Sequence, residues 1–219
     1  MRMGEDAILL RLGDAIDGET NARVHALAAR ISAERPDWLR DLVPAYASLA
    51  LFIDASAFDD GGDPLANVEA WLRALPPGDV DAALSQGALH EIAVRYGGEH
   101  GPDLDAVAEH AGLSPRDVIE LHADCEYRVA MLGFAPGFPY LLGLDPRIAT
   151  PRLATPRLRV EAGSVGIGGE QAGIYPRPGP GGWRIIGRTE VVLFDPARNP
   201  PSLLAAGDRL RFVPTGKPP

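Results

Sequence analysis

The stretch from Leu132 to Thr189 decides the fold of this chain, and it reads LGFAPGFPYLLGLDPRIATPRLATPRLRVEAGSVGIGGEQAGIYPRPGPGGWRIIGRT. Glycine and proline are frequent in it, yet large aromatic side chains recur beside them: Phe134, Phe138, Tyr140, Tyr175 and Trp183. A flexible linker would be polar and poor in aromatics. We therefore expect tight turns that hold large side chains in place on a rigid scaffold, as functional loops do. An all-β domain with glycine- and proline-rich turns is the alternative that composition leaves open.

Short strand patterns between turns continue from this stretch to the end of the chain. The expected strands are 159–161, 164–167, 172–175, 183–187, 191–194 and 209–213. This spacing is typical of a compact β-barrel with long loops. The glycines of GIGGEQAG, residues 166–173, lack the lysine and the following Ser or Thr of a phosphate-binding loop, so they predict a tight β-turn.

The amino-terminal part alternates strand and helix patterns. A strand is expected at 6–12, a helix capped by Thr20 or Asn21, a second strand at 39–54 with a break at Pro44, and a helix at 64–75. The DDGGD segment, residues 59–63, is expected to be a turn, and PPGDVDAALSQG, residues 76–87, a linker. The predicted fold class is α+β, with a small N-terminal α/β domain (1–82) followed by a C-terminal β-barrel domain (83–219) that carries the long stretch.

Two short helices are expected between the linker and the long stretch. Asp103 is expected to cap the first, which ends at Gly112. Ser114 and Asp117 have the spacing of a capping box for the second. His122 lies near the end of this second helix, just before a strand. It could stabilise the helix C-terminus electrostatically, or act as a general acid/base or hydrogen-bond donor to a substrate.

Composition and missing motifs exclude several classes of function. The chain of 219 residues is 46% hydrophobic and 23% charged, as in an ordinary globular protein. A net charge of −9 argues against nucleic acid and anionic membrane as partners. The single cysteine excludes an internal disulfide. No signal peptide or long apolar run is present, so a cytoplasmic location is expected. The sequence also lacks a Walker loop, a GxSxG elbow and an HExxH zinc motif.

Two arginines recur in the phrase TPRLATPR, where a proline precedes each. Because proline restricts the backbone, Arg152 and Arg157 could be held in set directions, which suits carboxylate or phosphate groups. They could equally be surface arginines paired with Asp145 or Glu161. A neutral hydrogen-bonding edge for an amide or lactam could come from Gln171 and Tyr175. The aromatic residues could wall such a site or form barrel core.

The chain resembles one bacterial family along this stretch. The resemblance is carried by GFAPGFPYLLGLDPRIATPR (133–152), TPRLRVEAGSVGIGGEQAGIYP (155–176) and PGGWRIIGRT (180–189). The family contains the B subunit of the ATP-dependent 5-oxoprolinase, subunit 1 of the allophanate-hydrolase type and the KipI inhibitor of a sporulation histidine kinase. The chain departs from the family pattern at Glu161 and Glu190, where proline is usual, and at Arg184, where glutamine is usual.

The resemblance implies a cyclophilin-like barrel and a B subunit that opens the lactam of 5-oxo-L-proline to L-glutamate with ATP hydrolysis. Since the chain shows no nucleotide motif, ATP is expected on a partner, the A subunit of 5-oxoprolinase, with the C subunit completing the pocket and no metal in this chain. The family motif has a histidine at the place of His122. The alternatives are a KipI-like inhibitor that docks on a histidine kinase through exposed aromatics, and a urea-carboxylase-type protein acting on another small amide.

The residues expected to act in the site form two groups. The candidate catalytic residues are His122, Arg152 and Arg157. The candidate substrate-binding residues are Phe134, Pro136, Gly137, Phe138, Tyr140, Gln171, Tyr175 and Trp183.

Overall fold

The computed structural model describes residues 1–58, 62–76, 78–85 and 87–216. The chain divides into two compact units, unit 1 (Met1–Gln86) and unit 2 (Gly87–Pro219). The boundary expected from the sequence, between residues 82 and 83, falls inside a short helix that ends at Ser85. The domain limits 1–82 and 83–219 remain a prediction about which parts fold independently.

Unit 1 is a small three-stranded sheet with helices. Its elements are β1 (Ala7–Arg11), α1 (Gly18–Glu34), β2 (Leu39–Pro44), β3 (Ser48–Ile53), α2 (Pro64–Ala74) and α3 (Val80–Ser85). The sheet order is β1-β3-β2, and both pairings are antiparallel. The alternation of β3 buries Leu49, Leu51 and Ile53, which pack against apolar residues of α1 and α2.

Three details of unit 1 differ from the sequence-based expectation. The expected single strand with a break at Pro44 is a hairpin, because the chain reverses after β2 and Ala45 donates its N–H to Ser48 O (2.8 Å). Helix α1 is capped by Asp17, whose Oδ1 accepts from Thr20 N (2.7 Å). The expected linker contains α3, and Asp79 Oδ1 accepts from Ala82 N there (2.8 Å). The DDGGD turn lies mostly outside the described residues.

Unit 2 contains nine strands and two helices among its described residues. They are β4 (Leu89–Tyr96), α4 (Leu104–Ala111), α5 (Pro115–Asp124), β5 (Tyr127–Leu132), β6 (Pro139–Leu142), β7 (Arg157–Val160), β8 (Ser164–Gly168), β9 (Gln171–Ile174), β10 (Gly179–Gly181), β11 (Arg184–Arg188) and β12 (Arg209–Pro214). Seven of the strands close a barrel in the order β11-β4-β12-β5-β6-β9-β8. The neighbours β4 and β12 are parallel, and β7 and β10 form a separate two-stranded sheet.

The barrel interior is filled by alternate residues of its strands. Ile92 and Val94 of β4, Val165 and Ile167 of β8, and Phe212 of β12 belong to one apolar cluster with residues of α4 and α5. Because successive side chains of a strand point to opposite faces, the residues between them lie on the outer face of the barrel. Among the described helices of both units, none has the length and apolar character needed to cross a membrane.

The carboxy-terminal strand expectations hold except in three places. Residues 191–194 do not form a strand, since this segment has only one isolated bridge, from Phe194 to Ser202. The strand expected at 159–161 begins two residues earlier, at Arg157. Strands β6 and β10 were not expected. The turn predicted from GIGGEQAG is confirmed, because β8 and β9 form a hairpin in which Gly168 pairs with Gln171.

The two helices of unit 2 test the capping predictions. The capping box of α5 is confirmed, since Ser114 Oγ accepts from Asp117 N (3.1 Å) and Asp117 Oδ2 accepts from Ser114 N (3.1 Å). Helix α4 ends at Ala111, and Gly112 is its C-cap, as expected. However, the Asp103 side chain makes no capping hydrogen bond to α4. Its carboxylate instead accepts hydrogen bonds from Arg157 and from the backbone of Ile185.

Candidate functional site

The outer face of β8, β9 and β6 accommodates one large ring, the indole of Trp183. Gly168 and Gly173 lie on this face, because their neighbours Ile167 and Ala172 fill the barrel interior. A Cβ at Gly168 would lie 2.6 Å from the indole of Trp183, and one at Gly173 would lie 2.9 Å from it. The glycines therefore allow Trp183 to lie directly against the barrel wall.

The five aromatic residues singled out in the sequence come together on this wall. The Phe138 ring is central, with its centroid 5.0 Å from Tyr140, 5.2 Å from Tyr175 and 5.5 Å from Trp183, all in edge-to-face geometry. Phe134 joins it at 5.4 Å. We call these five residues the aromatic face. Phe138, Tyr175 and Trp183 are buried in an apolar cluster separate from the barrel core, so the barrel-interior alternative does not apply to them.

The loop before β6 presents one aromatic side chain to solvent. Phe134 has φ 65° and is 63% exposed, although the left-handed region is costly for a residue with a Cβ. Pro136 is exposed and Gly137 buried. At Gly137, where φ is 78°, a Cβ would lie 2.8 Å from the Phe194 side chain, so this turn requires glycine.

We expect Gly168→Ala to destabilise unit 2 by about 1–3 kcal/mol, because the added methyl overlaps the buried indole of Trp183. Thermal or urea unfolding of the variant measures this loss. Gly179→Ala is the matched control, since a Cβ there meets nothing within 4 Å. Equal stabilities of the two variants would show that Trp183 does not lie against β8.

The two candidate arginines lie in different surroundings. Arg152 is exposed, and its guanidinium carbon lies 5.5 Å from the centroid of the Trp183 ring. Arg157 is partly buried and donates from Nη2 to Asp103 Oδ1 (2.7 Å). Its Nη1 is buried and has no hydrogen-bond partner among the described residues. Arg157 therefore has one guanidinium nitrogen anchored by Asp103 and one buried nitrogen without a partner among the described residues.

The expected acidic partners of these arginines bind other arginines. Asp145 pairs with Arg147 (2.7 Å), which holds the pKa of its carboxyl below the ordinary value. Glu161 pairs with Arg159 (2.7 Å), with the same effect on its pKa. Both pairs join residues two positions apart on the surface, so neither acid is used by the site.

Asp103 was not expected to belong to the site. It is 6% exposed, and its Oδ2 accepts from the backbone N–H of Ile185 (2.7 Å) while its Oδ1 binds Arg157. One buried carboxylate thus fixes Arg157 to the start of β11, the strand that follows Trp183. An acid directly before a helix predicts a local cap. The actual partners, Arg157 and Ile185, are far away in sequence, so no local pattern points to them.

Two further polar groups belong to the same region. Gln171 pairs with Gly168 across the hairpin and so shares its outer face, and its Oε1 is buried without a hydrogen-bond partner among the described residues. Burial raises the pKa of the Tyr175 phenol, while the backbone N–H of Trp183 and the charges of Arg152 and Arg157 act in the opposite direction.

His122 does not join this group. It is fully buried, its Nδ1 lies 2.8 Å from the hydroxyl of Tyr96, and its ring packs 4.5 Å from Phe212 and 5.3 Å from Tyr127. None of these neighbours belongs to the aromatic face. Burial lowers the pKa of His122 to about 3, so the imidazole is neutral at pH 7.

The site thus combines an aromatic wall with a carboxylate-anchored arginine, a second exposed arginine and an unpaired amide oxygen. Such a set can bind a small, flat molecule that carries a carboxylate and an amide edge. Among the described residues, no group of three or more His, Cys, Asp or Glu could hold a metal ion.

This architecture and its signature loops define a class of protein. The family model described as carboxyltransferase domain, subdomain C and D, matches residues 1–204, and the chain belongs to this family. It is 43% identical to the 5-oxoprolinase B subunit of Bacillus subtilis (strain 168), over 97% of this chain and 90% of that protein. It is 42% identical to the 5-oxoprolinase B subunit of Escherichia coli O157:H7, over 97% and 94% of the two chains. The family membership expected from the sequence is confirmed.

Solved structures have the same fold. The structure of TTHA0988 matches with a TM-score of 0.81 and 40% identity, covering 97% of this chain and 41% of that one. The present chain therefore spans about two fifths of the TTHA0988 chain. PH0987 from Pyrococcus horikoshii is 48% identical, with a TM-score of 0.58 and coverage of 98% and 96%. The K. lactis urea amidolyase shares the fold at 21% identity and a TM-score of 0.73, over 96% of this chain and 14% of that one. The predicted α+β class with a carboxy-terminal barrel is confirmed.

Proposed function

We propose that this chain is the B subunit of an ATP-dependent 5-oxoprolinase, which opens the lactam of 5-oxo-L-proline to L-glutamate together with the A and C subunits. The observation that carries the proposal is the 43% identity over 97% of the chain to a protein named as the B subunit of 5-oxoprolinase. The aromatic face and its arginines support it, because they suit a small lactam carboxylate.

The proposed reaction needs activation, since a lactam is a stable amide. Transfer of a phosphoryl group from ATP to the lactam carbonyl oxygen would make the ring carbon a better electrophile. Water then adds to that carbon, and the ring C–N bond breaks with a proton moving to nitrogen, which leaves an acyl phosphate. A second water hydrolyses the acyl phosphate, giving glutamate, ADP and phosphate. This chain has no phosphate-binding loop motif, so we assign ATP to a partner subunit. The complete enzyme, rather than this chain alone, is the active form in this proposal.

Each polar group of the site has a matching group on 5-oxoproline. Arg152, which is exposed, and the exposed part of the Arg157 side chain would bind the carboxylate. The side chain of Gln171, which is only partly buried, would accept the lactam N–H, and the aromatic face would exclude water around the ring. We do not extend the predicted catalytic role to His122, because a fully buried ring cannot contact a substrate without rearrangement of the core. In this proposal His122 stabilises the fold of unit 2 and does not contact the substrate.

We expect Arg152→Ala to raise the KM for 5-oxoproline about 10- to 100-fold, the effect of losing one charged hydrogen bond to a carboxylate. The measurement is ATP-dependent glutamate release by the assembled three-subunit complex. Arg159→Ala is the matched control, because Arg159 is also exposed and pairs with Glu161 on the surface.

The outcomes of this experiment test the proposed function and the role of Arg152 separately. A folded, assembled complex that releases no glutamate would overturn the proposed function. Turnover with an unchanged KM in Arg152→Ala would leave the function standing and remove Arg152 from the site. Turnover of allophanate in place of 5-oxoproline would point to the amide-hydrolase alternative.

A second candidate function follows from Phe134. An exposed aromatic ring on a left-handed backbone suits an interface hot spot, so a KipI-like inhibitor could dock on the dimerisation domain of a histidine kinase through it. Binding of the purified chain to such a kinase domain, lost in Phe134→Ala, would support this alternative. Absence of binding at micromolar concentrations would overturn it.

A further inference from the structure

Unit 2 also has an open groove that contains none of the candidate site residues. Its volume is about 1210 Å³, larger than the roughly 300–1,000 Å³ of a usual small-molecule pocket. Its lining includes Ala93 and Arg95 on the outer face of β4 and residues 189–192. We call it the β4 groove.

The β4 groove lies where β4 and its neighbour β11 pair over only a short length. Strand β11 pairs with β4 through only two residue pairs, Gly187 with Tyr96 and Arg188 with Arg95. Beyond Arg188 the chain leaves β4 instead of continuing the ladder. It returns to the barrel at Leu193, which is buried in the core. The gap between this segment and β4 is the groove.

The backbone direction of β4 shows that its edge faces the groove. Val94 O accepts from Thr215 N on the β12 side (2.8 Å), whereas Gly97 N donates to Ile186 O on the β11 side (3.1 Å). Because main-chain groups alternate between the two sides of a strand, Glu91 and Ala93 must direct their N–H and C=O groups towards β11. Among the described residues, the segment after β11 gives neither of them a backbone hydrogen bond. Both residues are exposed.

We propose that this free edge of β4 receives an extended segment of a partner subunit by strand addition. An exposed row of unpaired N–H and C=O groups is a template for another strand. The groove gives room for that segment on the barrel side where β11 has left. The lining of the β4 groove has no residue in common with the aromatic face.

The charges of the groove specify the chemistry of the segment. Its lining includes two arginines, Arg95 and Arg188, and one acid, Glu190. This is a basic surface on a chain whose net charge is −9. The single acid, Glu190, is 86% exposed and pairs with Arg95 at 3.3 Å, a surface contact that is readily exchanged. An acidic segment could replace Glu190 at Arg95.

The identity of the partner rests on the proposed function. The TTHA0988 chain matches this chain over only 41% of its length, so a relative carries this fold together with a longer stretch of polypeptide. The occupant we infer is a segment of the separate subunit that corresponds to that longer stretch. Strand addition would fix the register of the two subunits through main-chain hydrogen bonds, which depend little on side-chain identity.

Amide hydrogen exchange tests the inference on the free chain and on the assembled enzyme. In the free chain, the amides of Glu91 and Ala93 should exchange rapidly, while those of Ile92 and Val94, which face β12, should be protected. In the complex, exchange at Glu91 and Ala93 should slow at least tenfold. A complex that turns over 5-oxoproline with unchanged exchange at these two amides would overturn the inference alone. Absence of any complex and of turnover would overturn the proposed function, and the inference with it.

A charge-reversal variant tests the basic wall independently. We expect Arg95→Glu to weaken binding of the partner subunit at least tenfold at low salt, with normal circular dichroism. Arg116→Glu on α5 is the control, because Arg116 is exposed and forms its ion pair with Glu120 on the same helix. Equal affinities of the two variants would overturn the acidic character assigned to the segment.

Discussion

Lowering the pH from 7.5 to 4.5 is expected to remove about 3 kcal/mol from the free energy of unfolding of unit 2, with His122 as the cause. Burial lowers the pKa of this imidazole to about 3 in the folded chain, against about 6.5 when unfolded. Between these values the unfolded state binds a proton that the folded state does not. The stability is therefore complete above pH 6.5 and is lost as the pH falls towards 3.

The window from pH 6.5 to 4.5 isolates this group from the carboxylates. Paired acids such as Asp63 and Asp117 have pKa values lowered by their hydrogen bonds, so their contribution is lost mainly below about pH 4. Urea unfolding at several pH values measures the slope of the free energy of unfolding against pH. His122→Gln, which cannot be protonated and can still accept from the Tyr96 hydroxyl, should show little slope in this window.

His110→Gln is the matched control, because His110 is exposed at the end of α4. It should keep the slope of the original chain. A slope in His122→Gln equal to that of the original chain would show that another group causes the acid sensitivity.

Replacement of Asp103 by asparagine is expected to have an effect of similar size, a loss of about 2–4 kcal/mol at pH 7.5. The buried carboxylate accepts from both Arg157 Nη2 and Ile185 N, each at 2.7 Å. An asparagine would turn a donor towards one of these donors and leave the guanidinium without its counter-charge. Since Arg157 is about one third exposed, water replaces part of the lost interaction.

Asp105→Asn, two residues away on the exposed side of α4, is the control and should change stability by less than about 0.5 kcal/mol. Urea unfolding compares the two variants, and the KM for 5-oxoproline in the assembled complex reports whether Arg157 has moved. Similar stabilities of Asp103→Asn and Asp105→Asn would contradict the anchoring role of Asp103.

Features specified by neighbouring residues could be predicted from the sequence. The capping box at Ser114 and Asp117 spans one turn, and the β8–β9 turn needs only the glycines between two strands. The aromatic face was predicted in part for the same reason, since glycines and prolines beside large rings indicate fixed turns. Phe138 and Trp183 pack outside the barrel because Gly168 and Gly173 face outwards. Which residues of a strand face outwards depends on the strand register, and the glycines alone do not specify it.

Features that depend on distant partners could not be predicted. Asp103 and Arg157 are 54 positions apart, so the local cap was the better sequence-based interpretation of the acid. His122 lies in the last turn of α5, and its burial depends on packing against Phe212 of β12. Its position in the helix alone does not show that it is buried. The β4 groove follows from where β11 stops pairing, and no motif in the sequence marks that point.

The placement of the tryptophans allows the fluorescence of the two units to be separated. Trp38 and Trp71 contact each other in unit 1, with centroids 5.2 Å apart, and Trp183 is the third and last tryptophan of the chain. Replacing the first two by phenylalanine would leave a single tryptophan, 5% exposed and in contact with the cationic Arg152. Its emission would then report occupancy of the aromatic face and melting of the barrel, without any added label.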